Sequence, residues 1–394
     1  MSTPPWIDVN WDELKTDKYE TIEGLRQQHW YGKNERGIFF FHQEDAMHIM
    51  RCVDFNFFFI EINRDRSPYL ANAIESELLF KHGQDHRRLQ ALVMRALRDQ
   101  IVEGLKENIQ EIANGLVDKM PDKGTVDLTA EFCTPFPALI LGPMLGVPYG
   151  DVEGLDEWIG IGGRKSQAMM SGDDIAPVEE ANRKVHAYLR DLLKERRSNL
   201  GSDVFSELIV AEIDGDRLTE DELVYLASEI ASAGVDTTRD QLPQTIHTLL
   251  HHPDQLALLQ NNPSLAAGAV DEGMRFSPLA WALPHAALHD YEYKGIHFKK
   301  GDIAFVLVPA VNRDPNAIDN PHTFDITRKK ARHFTFGYGP HFCTGAQLAR
   351  MEMRIALETL TQRIKSFRLV EEPPLKPITK GETPLELLVE IEKI

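Results

Sequence analysis

Apolar residues recur along most of this chain with the spacing of amphipathic helices. The period predicts helices over 86–120, 178–200, 219–252, 254–276 and 344–364. Shorter apolar runs, punctuated by glycines, predict strands at 37–41 and within 291–308. The segment 312–328, rich in Pro, Asn and Asp, predicts irregular structure. Because no repeat, linker or boundary interrupts the pattern, we expect a single, mainly α domain with small β-sheets over 1–394.

The composition excludes several classes of protein. The 394 residues include 43 Lys and Arg against 61 Asp and Glu, a net charge of −18, whereas nucleic-acid binding requires a basic surface. No uninterrupted apolar stretch reaches the ~18 residues of a membrane-spanning helix. Residues 1–15 lack the basic and apolar regions of a signal peptide. We therefore expect a cytoplasmic protein with no nucleic-acid partner and no membrane anchor.

The cysteines are few. Cys52, Cys133 and Cys343 are widely spaced in the sequence. This number and spacing argue against a disulfide framework, and three cysteines are too few for a four-cysteine zinc or iron–sulfur site within one chain. A reducing compartment agrees with this pattern.

Two other patterns have ordinary structural explanations. The glycines of 158–165 do not fit a dinucleotide-binding loop, since their spacing differs and no strand-turn-helix unit surrounds them. His247 and His251 are four residues apart and could hold a metal ion on one helix face. However, His252-Pro253 ends that helix, and histidines near a helix end bond the last carbonyls and suit the helix dipole. We expect this second role for them.

The segment FGYGPHFCTGAQLAR, 336–350, sets Cys343 between glycines and the start of a helix. Free N–H groups and the positive end of the helix dipole would stabilise a thiolate there. The residues themselves leave four roles open for Cys343. It could be a nucleophile with His341 as its base, a redox thiol, a ligand to a single iron, or a buried structural cysteine.

The pattern Phe336-x-x-Gly339-x-x-x-Cys343-x-Gly345 resembles the haem-binding loop of the cytochromes P450, and the segment is similar to the form found in soluble bacterial members, which are haem-thiolate monooxygenases. The resemblance implies a triangular, mostly α fold with haem b (iron protoporphyrin IX) buried between two helices and Cys343 as its axial thiolate ligand. The resemblance also implies haem contacts from this loop and from the helix around 233–240. They are Phe336, Gly337, His341 and Gly345 in the loop, and Ala233 and Gly234 in the helix.

A second motif, AGVDTTRD over 233–240, places polar residues in the middle of a long apolar helix. Burying such groups is costly unless they have a function, and a threonine there can bond the carbonyl four residues earlier. The motif resembles the family's A/G-G-x-D/E-T-T segment. The resemblance implies that Asp236 and Thr237 form an acid–alcohol pair that delivers protons to iron-bound O2, the co-substrate. Arg239 and Asp240 fit a solvated helix face.

A third motif concerns the core around the cysteine loop. Glu272 and Arg275 are three residues apart, so they can meet on one helix face, as in the family's E-x-x-R motif. Arg328 fits the third partner that the resemblance implies. The implied role is structural, a buried charge network that locks the proximal core.

The chain departs from the family's pattern where the haem propionates are held. Many bacterial members have the sequence H-x-R-x-R, but here Gln90 follows His86 in place of the last arginine, and His285 stands where a further arginine is usual. We expect His86, Gln90, His285 and His341 to share the propionates. Haem retention should then fall as pH rises through the ordinary titration range of histidine.

The regions that line the substrate pocket in the family are mostly apolar in this chain, which indicates a hydrophobic small-molecule substrate. The residues expected to line the pocket are Tyr69, Leu70, Leu79, Ile230, Ala233, Leu279, Trp281, Leu283, Pro384 and Leu385. Some of these side chains could instead fill the core.

The expected function is a monooxygenase that inserts one oxygen atom of O2 into a hydrophobic substrate, by hydroxylation or oxidative dealkylation. The alternatives are a peroxide-driven haem-thiolate oxidase and a non-catalytic haem- or ligand-binding protein. An intact Asp236-Thr237 pair argues against both, because neither requires proton delivery to O2.

Electrons must come from another protein, because the chain has no flavin or iron–sulfur motif. The resemblance implies a ferredoxin or flavodoxin with its NAD(P)H-dependent reductase. The basic run Arg87, Arg88, Arg95 and Arg98 could dock an acidic ferredoxin, and reduction would then slow as salt rises. A solvated helix face is the alternative explanation of this run.

Overall fold

The helical periodicity corresponds to a series of α-helices in the computed structural model of the protein. The structure describes residues 7–10, 18–57, 62–171, 174–213, 216–329, 332–376 and 383–394. In chain order its α-helices are α1 (Lys18–Gln28), α2 (Gln43–Arg51), α3 (Pro68–Ser76), α4 (Gly83–Ala96), α5 (Asp99–Gly104), α6 (Lys106–Lys119), α7 (Pro135–Leu145), α8 (Val152–Gly162), α9 (Lys165–Met170), α10 (Ala176–Ser198), α11 (Val204–Val210), α12 (Glu220–Leu250), α13 (Pro253–Asn261), α14 (Ala266–Phe276), α15 (Val308–Val311) and α16 (Ala346–Arg363). Shorter helical turns are Leu78–Phe80, Thr129–Cys133, Tyr149–Asp151, Pro263–Leu265 and Gly339–His341. The expectation drawn from residues 1–15 falls mostly outside this described part.

Short strands complete the fold. They are β1 (Ile7–Asp8), β2 (Tyr31–Asn34), β3 (Gly37–Phe40), β4 (Phe55–Phe57), β5 (Lys123–Asp127), β6 (Glu212–Ile213), β7 (Asp216–Arg217), β8 (Ala282–Ala287), β9 (Tyr291–Tyr293), β10 (Ile296–Phe298), β11 (Ile303–Leu307), β12 (Ile364–Leu369) and β13 (Leu388–Lys393). They form sheets in the orders β1-β2-β3-β11-β8-β4, β12-β13-β5, β10-β9 and β6-β7. The prediction of a mainly α fold with small β-sheets is confirmed.

The element boundaries differ from the sequence prediction in a few places. The predicted helix 86–120 consists of α4, α5 and α6, and the predicted helix 254–276 consists of α13 and α14, with Pro263 between them. The apolar period continues across these breaks, so it does not reveal them. The strand-like segment 291–308 forms three strands, and the turns between them contain Gly295 and Gly301 with positive φ angles of 84° and 91°. No helix or strand occurs in the irregular segment 312–328.

The chain divides into two compact units, each built from separate stretches. The sheet unit comprises Met1–Phe59, Asp240–Cys343 and Phe367–Leu387, and the helical unit comprises Ile60–Arg239, Thr344–Ser366 and Leu388–Ile394. Helix α12 contributes residues to both units. The expectation of a single domain over 1–394 stays a prediction.

The core of the sheet unit explains the continuous apolar run at 37–41. Phe39 and Phe41 pack in one hydrophobic cluster, with Trp281, whereas Ile38 and Phe40 pack in another. Successive side chains of a strand point to opposite faces, and here both faces are covered. The run is therefore apolar throughout instead of alternating with polar residues.

The helical unit packs α16 against α6 and α10 against α8. Its sheet pairs β13 with β5 in antiparallel register, with Val389 opposite Val126. Helix α12 begins with a capping box, in which Glu222 N donates to Thr219 Oγ1 at 3.3 Å and Thr219 N donates to Glu222 Oε2 at 2.8 Å. None of the helices in the described ranges is long and apolar enough to cross a membrane.

The histidines at the end of α12 do not share one role. His252 Nδ1 donates to Thr248 O at 2.8 Å, which is the expected carbonyl bond at a helix end. The same expectation is wrong for His247 and His251, whose Nε2 atoms instead face each other and the carboxylate of Glu372. The glycines of 158–165 lie in and just after α8, and so they do not form a nucleotide-binding loop.

Candidate active site

The cysteine loop is held in its shape by backbone hydrogen bonds. Gly337 N donates to Phe334 O at 2.8 Å, and Cys343 N donates to Phe336 O at 2.9 Å. Phe334 is fully buried, so the loop is fixed to the core of the sheet unit at its start. These backbone bonds fix the position of Cys343 independently of any contact that its side chain makes.

Cys343 is the exposed thiol among the three cysteines. It lies three residues ahead of α16 in the chain. Cys52 is half-buried and Cys133 is buried, and burial raises the pKa of both thiols. Since a thiolate is the form that binds metals, Cys343 is the cysteine best suited to be a metal ligand.

Two glycines of the loop are required by its geometry. Gly337 and Gly339 have φ angles of 72° and 75°, a backbone conformation that residues with a side chain rarely adopt. In addition, a Cβ atom on Gly339 would lie 2.6 Å from the carbonyl oxygen of Met50 in α2. The glycine therefore allows the loop to approach the backbone of α2 closely. The next residue back, Tyr338, has its ring 4.5 Å from the guanidinium carbon of Arg51 in the same helix.

The E-x-x-R pair forms a buried ionic network in the sheet unit. Arg275 donates to both carboxylate oxygens of Glu272, with both distances at 2.7 Å, and the two side chains are 1% and 3% exposed. Arg328 Nε donates to Glu272 Oε1 at 3.2 Å, so the structure brings all three residues together. Both arginines also donate to the carbonyl oxygen of Thr323. The guanidinium groups thus satisfy backbone carbonyls of the irregular segment.

Asn312 joins this network to the cysteine loop. Nothing in the sequence singles it out beyond its place in the irregular segment 312–328. Arg275 Nη1 donates to Asn312 O at 3.0 Å. The Asn312 side chain accepts from Phe334 N at 2.7 Å and donates to Thr335 Oγ1 at 3.2 Å. Thr335 Oγ1 donates in turn to Met274 O at 2.7 Å. The loop is therefore hydrogen-bonded to the helix that carries Arg275.

His285 and His341 both contact the ring of Phe57 in the sheet unit. Strand pairing sets His285 opposite Phe57, with ring centroids 5.1 Å apart, and the His341 ring lies 5.3 Å from Phe57 on the same measure. The backbone carbonyl of Leu283 accepts from His285 Nδ1 at 3.1 Å. Burial lowers the pKa of His285 to about 4, so its imidazole is neutral at physiological pH.

This environment changes the expectation about pH. We expected haem retention to fall as pH rises through the ordinary range of histidine. His285 does not carry a charge in that range, because burial opposes its protonation. His86, which lies in α4 and is buried, has its pKa lowered by burial and by nearby His82 and Arg87. The lowered pKa values of His86 and His285 therefore argue against these two histidines as the source of a decline between mildly acidic and mildly alkaline pH. The decline itself stays a prediction.

Gln90 lies one turn after His86 on α4, half-buried. The spacing of four residues sets both side chains on one face of the helix. A histidine and an amide on one face offer two neutral hydrogen-bond donors, where the family pattern pairs the histidine with a charged arginine.

The polar segment of α12 lies in a continuous helix. Thr237 Oγ1 donates to Ala233 O, four residues earlier, at 2.6 Å. Both residues are exposed, and the Asp236 side chain is 41% exposed. A Cβ atom on Gly234 would meet its nearest neighbour, Met144 Cε, at 4.0 Å. Packing in the helical unit therefore does not require glycine at this position.

Arg239 and Asp240 do not form a solvated face, so that expectation is wrong. Arg239 pairs with Asp156 at 2.6 Å and lies 3.5 Å from a carboxylate oxygen of Asp236. Asp240 is buried and pairs with Lys376. The position of Asp236 is thus stabilised by the arginine three residues after it.

Glu352 is a buried carboxyl that the sequence analysis missed. It lies in α16 and accepts a hydrogen bond from Thr238 Oγ1 in α12 at 3.1 Å. Burial raises its pKa to about 8, so the group is protonated at neutral pH. A carboxylate on the otherwise apolar face of a helix was the signal that could have revealed it.

Glu229 was also missed, although it lies on α12 one turn before Ala233. Its carboxylate accepts from the backbone N of Leu78 at 2.7 Å and of Leu79 at 3.0 Å. Desolvation and the nearby Glu77 raise the pKa of Glu229. This carboxyl fixes the turn that carries Leu79, one of the residues expected in the substrate pocket.

The expected pocket residues differ in their surroundings. Leu70 and Trp281 are buried in hydrophobic clusters of their own units, which agrees with the alternative that they fill the core. Their place in the pocket stays a prediction. Leu283 is also in a cluster, together with Phe334. The half-buried or exposed candidates are Tyr69, Leu79, Ile230, Ala233, Leu279 and Leu385, while Pro384 is buried.

Tyr69 has specific polar contacts. Its hydroxyl lies 2.7 Å from His186 Nδ1, and the guanidinium carbon of Arg183 lies 3.9 Å from the centre of its ring. Burial raises the pKa of Tyr69 to about 12, and burial lowers the pKa of His186 to about 4. Both groups are therefore neutral at physiological pH, and the hydroxyl can donate to the imidazole.

The basic run on α4 is partly neutralised. Arg88 pairs with Glu222 at 2.6 Å, and Arg98 pairs with Glu207 at 2.5 Å. Two of the four arginines are thus engaged within the helical unit, and the charge available to attract an acidic partner is smaller than the sequence suggested.

Comparison with known proteins identifies the family. The family model described as cytochrome P450 matches residues 167–394. The chain is 32% identical to cytochrome P450 107B1 of Saccharopolyspora erythraea over 310 residues, which are 78% of this chain and 75% of that protein. It is 37% identical to the vitamin D(3) 25-hydroxylase of Pseudonocardia autotrophica over 281 residues, which are 70% and 67% of the two chains.

A solved structure agrees with these matches. P450BioI, in complex with an acyl carrier protein ligated to hexadec-9Z-enoic acid, has a TM-score of 0.88 with this chain. The identity is 29%, and the match covers 96% of this chain and 100% of that one.

The chain belongs to the cytochrome P450 family and has its fold. It is an oxidoreductase of the monooxygenase type, and its family implies a haem-thiolate cofactor and a redox partner. The cytoplasmic location and the roles of individual site residues stay predictions.

Proposed function

We propose that this protein inserts one oxygen atom of O2 into a hydrophobic small molecule, with haem b bound through the thiolate of Cys343. The observation that carries the proposal is the Cys343 loop itself. An exposed thiol stands three residues ahead of α16, on a loop whose two left-handed glycines and bonds to Asn312 fix its shape. The donor atom and the helix N-terminus after it suit a thiolate ligand to iron.

When bound, haem supplies the activation of O2 and the electron transfer that side chains cannot perform. Cys343 would hold the iron. His86, Gln90, His285 and His341 would hold the propionates, and Ala233, Gly234, Phe336, Gly337 and Gly345 would contact the porphyrin. The ionic network of Glu272, Arg275 and Arg328 would keep the loop in place.

Asp236 and Thr237 would move protons. The half-exposed carboxylate of Asp236 can take a proton from solvent, and Arg239 at 3.5 Å restrains it. Thr237 Oγ1 donates to Ala233 O, which leaves the lone pairs of the hydroxyl oxygen able to accept a hydrogen bond. A hydroxyl that can accept from one group and donate to another can pass a proton between them.

The proposed substrate class rests on the apolar character of the remaining pocket candidates. Leu79, Ile230, Leu279 and Leu385 have apolar side chains and are at least partly exposed. One relative is named for hydroxylating vitamin D(3), and one structural neighbour is bound to a fatty acid on an acyl carrier protein. Both agree with a hydrophobic substrate.

The proposed electron donor is a ferredoxin, or a flavodoxin, with its NAD(P)H-dependent reductase. Arg88 and Arg98 are paired with carboxylates. If reduction slows as salt rises, we therefore expect charges other than these two arginines to attract the electron donor.

Isotope labelling tests the proposed reaction. Hydrophobic compounds that shift the haem spectrum would be turned over with a ferredoxin, its reductase and 18O-labelled O2. We expect one labelled oxygen atom in each product molecule. Product that carries no label from O2, or label only from 18O-labelled hydrogen peroxide supplied without reductant, would favour the peroxide-driven function instead.

A further inference from the structure

Three side chains of the sheet unit direct their ligand atoms to one point. His247 lies in the last turn of α12. His251 directly follows the helix, and its N donates to His247 O at 3.2 Å, which extends the helical hydrogen bonding by one residue. The two Nε2 atoms are 3.1 Å apart. Glu372 Oε2 lies 3.3 Å from His247 Nε2 and 3.2 Å from His251 Nε2. Among the described residues, these three side chains form a cluster whose potential metal-ligand atoms all lie within 4.8 Å of one another.

The distances fit a zinc coordination sphere. Bonds of about 2.0–2.1 Å at tetrahedral angles set neighbouring ligand atoms about 3.3 Å apart. The three measured separations, 3.1, 3.2 and 3.3 Å, form a nearly equilateral triangle of that size. One ion above the triangle could therefore bind all three atoms without rearrangement of the backbone, with its fourth position open to water.

The segment that carries Glu372 is fixed to the same helix by other contacts. Lys376 forms an ion pair with Asp240, and Thr383 Oγ1 donates to Asp240 O at 3.1 Å. Lys376 N also donates to Thr383 O at 2.8 Å. Asp240, His247 and His251 are separated by seven and four residues, so they lie on one face of α12. The carboxylate is thus held next to the imidazoles by contacts that do not involve it.

We propose that His247, His251 and Glu372 form a zinc site. Two imidazoles and one carboxylate are borderline ligands that suit Zn²⁺, whereas Mg²⁺ and Ca²⁺ prefer oxygen ligands. The bound ion would join the end of α12 to the segment that carries Glu372. The site contains no residue of the proposed reaction, so its failure would leave the proposed function unaffected.

Zinc binding to the haem-loaded protein tests this site. Equilibrium dialysis against ZnCl2, with metal analysis, should give one Zn²⁺ per chain for the wild type. Removing one of the three protein ligands, in His247→Ala, His251→Ala or Glu372→Gln, should weaken this binding by at least the roughly tenfold that loss of a group orienting a metal ligand costs. His297→Ala is the matched control, because His297 faces Glu292 at 3.6 Å as an exposed pair without a second imidazole.

A second measurement locates the ion. Modification of histidines by diethyl pyrocarbonate, read by mass spectrometry, should be slowed by Zn²⁺ at His247 and His251 and unchanged at His297. Wild-type protein that binds no zinc would overturn the proposal. So would unchanged affinity in the three ligand variants, or protection that does not include His247 and His251.

Discussion

Thr238 in α12 donates a 3.1 Å hydrogen bond to Glu352 in α16. The threonine directly follows the Asp236-Thr237 pair in the sequence, and the carboxyl is buried with its pKa raised to about 8. The helix that is proposed to deliver protons is thus bonded to a buried acid that retains its proton at neutral pH. A group of this kind affects stability in a predictable way.

Glu352→Gln should change how stability depends on pH. In the folded state Glu352 keeps its proton up to about pH 8, whereas in the unfolded chain it loses the proton near its ordinary pKa of 4.5. Between these values the folded state binds more protons, so the contribution of this group falls as pH rises. The amide keeps an acceptor for Thr238 without a charge. The variant should therefore gain stability relative to wild type from pH 5 to 8, on the order of 1–3 kcal/mol.

Urea unfolding of the holoprotein at a series of pH values measures this difference. Glu358→Gln is the control on the same helix, because Glu358 is partly exposed and pairs with Arg354 at 3.8 Å, and its effect should not vary in this way. A constant difference between Glu352→Gln and wild type across the range would contradict the raised pKa.

Thr237→Ala should uncouple the reaction. The variant loses the hydroxyl that bonds Ala233 O and that we propose as the proton donor, so reducing equivalents should be diverted to hydrogen peroxide several-fold more often. The ratio of product to NAD(P)H consumed, with peroxide measured in parallel, reports this. Thr237→Ser keeps the hydroxyl and should retain most of the coupling. Equal coupling in wild type and Thr237→Ala would remove Thr237 from the mechanism.

Arg275→Ala should destabilise the protein by about 3–5 kcal/mol, because it leaves the carboxylate of Glu272 buried without its main partner. It should also lower haem content, because Arg275 bonds Asn312, which holds the cysteine loop. Arg354→Ala, at a partly exposed pair, should cost under about 1 kcal/mol. Urea unfolding and the ratio of Soret to protein absorbance measure both effects, and similar losses in the two variants would count against the network.

His285 should contribute no change in haem retention between about pH 6 and 8, because burial lowers its pKa to about 4. Below this range the sign is set by linkage. The unfolded chain takes up a proton near pH 6.5 and the folded protein only near pH 4, so stability should fall as pH falls between them. His285→Gln should reduce that acid loss. Gel filtration at a series of pH values measures haem retention. A decline in retention from pH 6 to 8 in wild type, but not in His285→Gln, would indicate a charged His285 instead.

The sequence predicted the elements better than their partners. The spacing of Glu272 and Arg275 indicates that they can meet, since three residues make almost one helical turn. It does not indicate that Asn312 connects them to the cysteine loop, because that contact joins segments that are distant in the chain. Arg328 was assigned through the family resemblance alone.

Two acids that accept hydrogen bonds within the helical unit were missed for a similar reason. Glu229 and Glu352 each occupy a helix whose period predicts burial of one face, and a charged residue there is normally assigned to the solvent side. Their acceptor roles depend on Leu78, Leu79 and Thr238, which only tertiary structure brings near. The breaks between α4, α5 and α6 were missed because the apolar period continues through them.

The most direct test of the central claim is the spectrum of the reduced holoprotein with carbon monoxide. Thiolate ligation by Cys343 predicts a Soret band at about 450 nm, which should be kept in Cys52→Ala and lost in Cys343→Ala. A wild-type protein that lacks this band, or a Cys343→Ala variant that keeps it, would contradict the assignment of Cys343 as the iron ligand.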